Sequence, residues 1–142
     1  MLVPDVNILL YAAFPDADQH SVTVHWLNAA ANGFEPVAIA DMVFSSFVRI
    51  GTNPRMTAMA ASSDEMFDKC REFRAMPSYQ LLREGPRHWD IFERLVVDIE
   101  ATGPDVADAY LAAFAVENNA TFVTFDRGFT RFPGLKLLTL GD

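Results

Sequence analysis

The strongest constraint on the fold of this chain is a regular alternation of short apolar runs with longer stretches of helical periodicity. The short runs have the length of strands and occupy residues 2–4, 36–40, 79–82, 121–125 and 136–140. The longer stretches occupy residues 8–13, 20–31, 42–50, 62–76, 88–101 and 105–117. Because strands separated by helices favour right-handed crossovers, we predict a three-layer α/β domain over residues 1–142. Its mostly parallel central sheet would have four to five strands flanked by helices.

Local signals mark the starts of two predicted helices. Asp41 is in a good N-cap position for the helix 42–50. Ser62 and Glu65 have the spacing of a capping box before the next helix. Residues 51–63 have the least regular pattern, which fits either a loop or a bent helical arm.

The composition limits the class of protein. Of the 142 residues 51% are apolar, which is enough for a core, and no apolar run has the length of a membrane span. The N-terminus lacks the basic and long apolar segments of a secretory signal. Cys70 is the only cysteine, so an internal disulfide and a cysteine-based zinc site within one chain are excluded. We expect a cytoplasmic protein with Cys70 in or near the core.

The net charge of −8 argues against broad, non-specific binding of nucleic acid, which normally requires a basic surface. It remains compatible with a small acidic site that meets phosphate through bound cations. It is equally compatible with a basic protein partner. The charge therefore restricts any nucleic-acid chemistry to a local site.

Four aspartates spread along the chain are the best candidates for such a site: Asp5, Asp105, Asp108 and Asp126. Two of them follow predicted strands, and two lie at the start of the helix 105–117. In a parallel sheet, strand ends and helix starts meet at one edge, where ligands usually bind. Clustered carboxylates resist ionising together unless a cation neutralises them, and Mg²⁺ typically binds few carboxylates while keeping several waters. The pattern therefore predicts metal-assisted phosphodiester chemistry.

Each aspartate also has an ordinary structural interpretation. Three of them could stabilise helix N-termini, and Asp126 could form an Asx turn. Asn7 and Thr124, each two residues from a candidate acid, could orient a carboxylate or hold a metal-bound water. They could equally make ordinary turn and strand-end hydrogen bonds. Only the joint pattern of acids favours a functional interpretation.

The remaining polar residues give weaker indications. The three histidines lack the spacing of a metal motif, and we expect surface or capping roles for them, including His88. No glycine-rich phosphate loop or Gly-x-Ser-x-Gly motif is present, which disfavours nucleotide cofactors and a serine nucleophile. Phosphate contact, surface solvation and salt bridges are open alternatives for the arginines Arg49, Arg55, Arg127 and Arg131.

Six segments form a more specific pattern through their order and spacing. They are VPDVNILLY at 3–11, FVRIGTNPR at 47–55, HW at 88–89, DAYLAA at 108–113, TFDRGF at 124–129 and RFPGL at 131–135. Together they resemble the PIN-domain ribonuclease toxins of VapBC-type toxin–antitoxin modules, nearly from end to end. The resemblance implies a homodimeric, Mg²⁺- or Mn²⁺-dependent endoribonuclease inhibited by a small VapB-like antitoxin. The implied substrate is structured RNA, with transfer or ribosomal RNA expected.

The resemblance also assigns residues by position. It implies that Asp5, Asp108 and Asp126 are catalytic, metal-binding acids, and that Asn7 and Thr124 are the accompanying polar residues. Water would attack the phosphate directly, because no protein nucleophile is apparent.

One departure from the family pattern concerns the helix after the second strand, where many PIN domains have a glutamate. Residues 45–49 read SSFVR and contain no acid. Asp41 or Asp105 could replace it, or the site has fewer ligands and binds metal weakly. We retain Asp105 as a further candidate metal ligand, and Arg49 and Arg127 as candidate RNA contacts.

Two other functions remain open. The missing helix acid and the charge are compatible with a catalytically weak or inactive PIN-fold protein that binds a basic, antitoxin-like partner. A phosphatase or another small-molecule metal hydrolase is the third possibility. The apolar segments 56–61 and 67–76 could accept a partner helix, or they could pack in the core or a dimer interface.

Overall fold

The centre of the molecule is a five-stranded parallel sheet. The computed structural model describes residues 1–56 and 60–141, and its strand order is β3-β2-β1-β4-β5. The strands are β1 (Leu2–Pro4), β2 (Val37–Ala40), β3 (Tyr79–Leu82), β4 (Thr121–Thr124) and β5 (Lys136–Thr139). All four residues of β2 are buried, which is typical of a parallel sheet covered on both faces. The predicted α/β architecture is confirmed.

The helices begin and end close to the predicted positions. They are α1 (Val6–Ala13), α2 (His20–Ala31), α3 (Asp41–Gly51), α4 (Ser63–Arg74), α5 (His88–Ile99) and α6 (Pro104–Glu117), with a short 3₁₀ helix at Arg127–Arg131. Ser62 is the N-cap of α4, because the Glu65 amide donates to Ser62 Oγ at 3.2 Å, and the Ser62 hydroxyl also contacts Glu65 Oε1. The N-cap role predicted for Asp41 is wrong. Asp41 is the first residue of α3, and its Oδ1 accepts a hydrogen bond from Arg74 at 2.8 Å.

The core contains one residue that we expected at the surface. His88 is only 1% exposed, and its Nε2 lies 3.0 Å from the carbonyl oxygen of Tyr110. Its ring packs against Tyr110 and Phe114, with 4.4 Å between the ring centroids in both pairs. His88 therefore links α5 to α6 through one hydrogen bond and two ring contacts. Cys70 is buried, as predicted.

Helix α6 lies against the strands that lead to the candidate acids. It packs on β1 and β4 as well as on α5. The buried positions on its sheet-facing side are mainly alanines, including Ala109, Ala112 and Ala113. Small side chains let the helix axis approach the sheet, so they determine where Asp105 and Asp108 lie. In the described part of the chain, no helix has both the length and the apolar character needed to cross a membrane.

Enlarging a buried alanine of α6 should therefore destabilise the protein and displace the acids. We expect Ala112→Leu to reduce the free energy of unfolding by about 1–3 kcal/mol, because the added atoms have no space in a packed core. Ala107→Leu, at an exposed position of the same helix, is the matched control and should change it by less than about 0.5 kcal/mol. Urea unfolding of both variants tests this, and equal stabilities would contradict the packing described for α6.

Candidate active site

Asp5 lies at the centre of the sheet edge, where β1 ends and α1 begins. Its backbone amide donates to the carbonyl oxygen of Val123 at 2.8 Å, which continues the pairing of β1 with β4. Its Oδ1 accepts a hydrogen bond from the amide of Val6 at 2.7 Å, so Asp5 is the N-cap of α1. The residue is nevertheless 6% exposed, which is unusual for an aspartate. The structural and functional interpretations of Asp5 are thus compatible.

The hydroxyl of Thr124 connects three parts of the site. It donates to Asp5 Oδ2 at 2.8 Å, and it accepts from Asn7 Nδ2 and from the amide of Asp126, each at 3.0 Å. Asn7 Nδ2 also reaches Asp5 Oδ2 at 3.3 Å. A hydroxyl has one donor and two acceptor positions, so the capacity of Thr124 is fully used. Asn7 and Thr124 therefore orient Asp5, as one of their two sequence interpretations predicts.

The environment of Asp5 favours its neutral form. Burial raises the pKa of its carboxyl group from 3.8 to about 6, although the hydrogen bonds from Thr124 and Val6 act in the opposite direction. The negative charges of Asp108 and Asp126 raise this pKa further. These three acids, which come from three separate segments, therefore interact electrostatically at one edge of the sheet. A cation bound there would relieve both the desolvation and the repulsion.

Asp105 and Asp108 are held by one arginine. They lie three residues apart on α6, and Arg131 Nη2 donates to Asp105 Oδ1 and to Asp108 Oδ2, each at 2.9 Å. Burial raises the pKa of Asp108, while the hydrogen bond and charge of Arg131 oppose this shift. Arg131 was one of four arginines for which phosphate contact, solvation and a salt bridge were open, and the structure shows the salt bridge. The turn that brings it to α6 was the missing information.

Asp126 begins the 3₁₀ helix that carries Arg131. Its Oδ1 accepts a hydrogen bond from the amide of Gly128 at 2.7 Å, so it forms the Asx turn that was one of the two interpretations. A Cβ atom at residue 128 would lie 2.9 Å from Asp126 Oδ1 and 3.0 Å from Arg131 Nη1. Glycine at this position therefore leaves room for both the Asp126 carboxylate and the Arg131 guanidinium group.

Two other candidates, Asp41 and Arg49, belong to α3, which follows the neighbouring strand β2. Arg49 and Asp41 line a cavity of about 430 Å³ between α3 and α4, which none of the four candidate aspartates lines. Asp41 is paired there with Arg74. Arg127, by contrast, follows Asp126 directly and is exposed. Arg127 thus adjoins one of the acids in sequence, and Arg49 lines the cavity between α3 and α4.

The donor set fits a hard divalent cation in its chemistry. Carboxylate oxygens are the preferred ligands of Mg²⁺, and Asp5 is a buried acid whose charged form needs compensation. Within residues 1–56 and 60–141, no group of three or more histidine, cysteine, aspartate or glutamate side chains is arranged to hold a metal ion. Arg131 already pairs with Asp108, so a cation at Asp108 would compete with this ion pair.

Comparison with known proteins identifies the family of this chain. The family model of the PIN domain matches residues 2–135. The VapC ribonuclease Mb2897 of Mycobacterium bovis and ribonuclease VapC43 of Mycobacterium tuberculosis are each 41% identical to this chain over 136 residues. Both alignments cover 96% of this chain and 92% of the relative.

Solved structures agree on the fold. VapBC2 from Rickettsia felis, bound to a promoter DNA fragment, has a TM-score of 0.75 at 19% identity, covering 99% of this chain and 98% of its own. Mycobacterium tuberculosis VapC20, described as a sarcin-ricin-loop-cleaving toxin, has a TM-score of 0.66 at 13% identity, covering 96% and 99%. The chain therefore belongs to the PIN-domain family and, within it, to the VapC ribonucleases.

The raised pKa of Asp5 predicts a pH-dependent stability in the absence of metal. Between about pH 4 and pH 6 the folded state holds a proton on Asp5 that the unfolded state has released. The free energy of unfolding should therefore fall as the pH rises through this range, by up to about 3 kcal/mol for a shift from 3.8 to about 6. Urea unfolding in EDTA, compared with Asp5→Asn, measures this contribution. Asp5→Asn should lack this pH-dependent contribution. Identical pH profiles of the free energy of unfolding in both proteins would contradict a raised pKa of Asp5.

Removing the hydroxyl of Thr124 should disturb Asp5 specifically. We expect Thr124→Val to cost about 1–3 kcal/mol of unfolding free energy, because Asn7 and the Asp126 amide lose an acceptor. The pKa of Asp5 should also rise, because a hydrogen bond that stabilises the carboxylate is lost. Thr121→Val, at the other end of β4, is the control. NMR titration of the Asp5 carboxyl carbon measures the pKa, and an unchanged value in Thr124→Val would refute the coupling.

Proposed function

We propose that the protein is the toxin of a toxin–antitoxin module and an endoribonuclease that hydrolyses structured RNA with Mg²⁺, or with Mn²⁺ in its place. The observation that supports this proposal is the electrostatic interaction of Asp5 with Asp108 and Asp126, which come from three separate segments. Asp5 in particular is buried and oriented at a net electrostatic cost. Proteins commonly accept such a cost where a functional ligand offsets it.

Asp5, Asp108 and Asp126 are the proposed metal ligands, and Asp105 is a further candidate. A bound divalent ion lowers the pKa of a coordinated water and neutralises charge on the phosphate. Among the described residues, the hydroxyl that contacts these acids is that of Thr124, whose donor and acceptor positions are already used by Asp5, Asn7 and the Asp126 amide. Direct attack by water therefore remains the proposed route.

The residues around the acids supply orientation. Both oxygens of Asp5 are held by donors, so its carboxylate needs no rearrangement when a substrate arrives. The amide of Gly128 donates to the Asp126 carboxylate, and the backbone amide of Asp126 donates to the Thr124 hydroxyl. Groups fixed in advance do not lose conformational freedom during the reaction, and this preorganisation is a major source of catalysis.

The net charge of −8 requires a local means of attracting RNA. Arg127 is exposed and adjacent in sequence to Asp126, and we assign it as a candidate phosphate contact beside the acids. Arg49 would contact RNA only if the substrate extended to the cavity between α3 and α4. Structured RNA, with transfer or ribosomal RNA as the expected class, is long enough to meet both surfaces.

A VapB-like antitoxin and a second copy of the chain are the proposed partners. Phe67 and Met56 are 51% and 56% exposed, which supports the candidate partner surface on segments 56–61 and 67–76. Phe73 of the second segment is instead buried in the core. Residues 57–59 of the first segment lie outside the described residues.

A second candidate function is a PIN-fold binding protein without catalysis. It is favoured by the absence of an acid at residues 45–49 and by the ion pair of Arg131 with Asp108. That ion pair demonstrates that the acids accept a guanidinium group, as a basic partner would supply. Binding of an arginine-containing peptide without metal binding or RNA cleavage would support this alternative.

Cleavage of a structured-RNA pool tests the proposal. With Mg²⁺ or Mn²⁺ we expect wild-type cleavage to exceed that of Asp5→Asn and Asp108→Asn by at least about 100-fold, the scale expected for losing one preorganised catalytic group. EDTA should abolish the wild-type activity. Asp18→Asn removes an exposed carboxylate beyond the far end of α1, and it should cleave like wild type. Full activity of both site variants, with contaminating nuclease excluded, would refute the assignment.

A further inference from the structure

Arg131 has an unusual set of contacts for an arginine beside a proposed cation site. Its Nη2 bridges Asp105 and Asp108, and its Nη1 donates to the carbonyl oxygen of Gly128. Only 28% of its side chain is exposed. The guanidinium group is therefore directed into the acid cluster and largely shielded from water.

Aromatic rings support the same position. The guanidinium carbon lies 4.5 Å from the ring centroid of Phe132 and 5.7 Å from that of Phe129, which are distances typical of cation–π contacts. Phe129 and Phe132 are themselves buried. The ring contacts and the ion pairs together fix the position of the Arg131 guanidinium group.

One contact is missing from this arrangement. Arg131 Nε is buried and has no hydrogen-bond partner in the described part of the chain. A buried donor without a partner is unfavourable, and solvent would satisfy it. The attraction of the acids must therefore offset this cost, and weakening that attraction would favour release of the guanidinium group.

We propose that Arg131 is the resident counter-cation of the acid cluster, which competes with the divalent metal for Asp108 and so sets the metal concentration at which the site fills. This inference rests on the metal-dependent function proposed above. Without metal, Arg131 neutralises Asp105 and Asp108. If Asp108 held a divalent ion, Asp105, whose side chain is 53% exposed, would remain as a partner for Arg131. Arg131 is thus a positioning residue that acts through Asp108.

Direct measurement of Mn²⁺ binding tests the competition. By isothermal titration calorimetry, Arg131→Met should bind Mn²⁺ about tenfold more tightly than wild type, because one like charge at short range is removed. Arg131→Lys keeps the charge and should stay close to wild type. Lys136→Met removes the same charge at the N-terminal end of β5, whereas Asp5 and Asp126 follow the C-terminal ends of their strands. This control should leave the affinity unchanged.

A second measurement needs no substitution. In wild-type protein labelled with ¹⁵N-arginine, the side-chain resonances of Arg131 should shift as diamagnetic Mg²⁺ is added, because its bond to Asp108 is lost. Resonances of Arg131 that stay unchanged while Mg²⁺ binds would overturn the inference. This experiment remains decisive if Arg131→Met does not fold.

The outcomes separate this inference from the nuclease proposal. Equal or weaker Mn²⁺ binding by Arg131→Met, together with metal-dependent RNA cleavage by wild type, would overturn the counter-cation role and leave the nuclease intact. Absence of Mn²⁺ binding from wild type and Arg131→Met alike would overturn both. Tighter binding by Arg131→Met alone would support the inference.

Discussion

A hydrogen bond between two central strands supports the whole site. The Thr124 hydroxyl at the end of β4 donates to the carboxylate of Asp5 at the end of β1, across 119 positions of sequence. This bond exists because β1 and β4 are parallel neighbours in register. It keeps a charged group inside the protein that burial alone would drive toward the neutral form. The sheet order is therefore a requirement of the chemistry as well as of the fold.

The acids of the cluster differ in how their charge is compensated. Asp5 receives three hydrogen bonds, whereas Asp105 and Asp108 share the charge of Arg131. Hydrogen bonds orient a carboxylate but offset only part of its desolvation, as the raised pKa of Asp5 shows. The cluster thus contains Asp5, whose charge is only partly compensated, together with Asp105 and Asp108, which are paired with Arg131. Such an arrangement suits a site that exchanges one cation for another.

Local sequence signals predicted most of the helices and strands, because helix and strand formation depends mainly on residues that are close together in sequence. The alternation of runs located all five strands, and the Ser62 capping box located the start of α4. The errors arose where a distant partner overrode the local signal. Asp41 binds Arg74 instead of capping α3, and His88 finds Tyr110 and Phe114 across the α5–α6 pair. Propensity cannot reveal such partners, because they depend on how the helices pack.

The sequence by itself determined the α/β class, the order of elements and the identity of the acids at strand ends and helix starts. These follow from periodicity and from the rule that parallel strands end at one edge. Only the tertiary structure decided how those acids are compensated. It buried Asp5 beside Thr124, paired Asp41 with Arg74, and brought Arg131 onto Asp105 and Asp108. The physical reason is that desolvation and ion pairing depend on distances between segments, which no local pattern records.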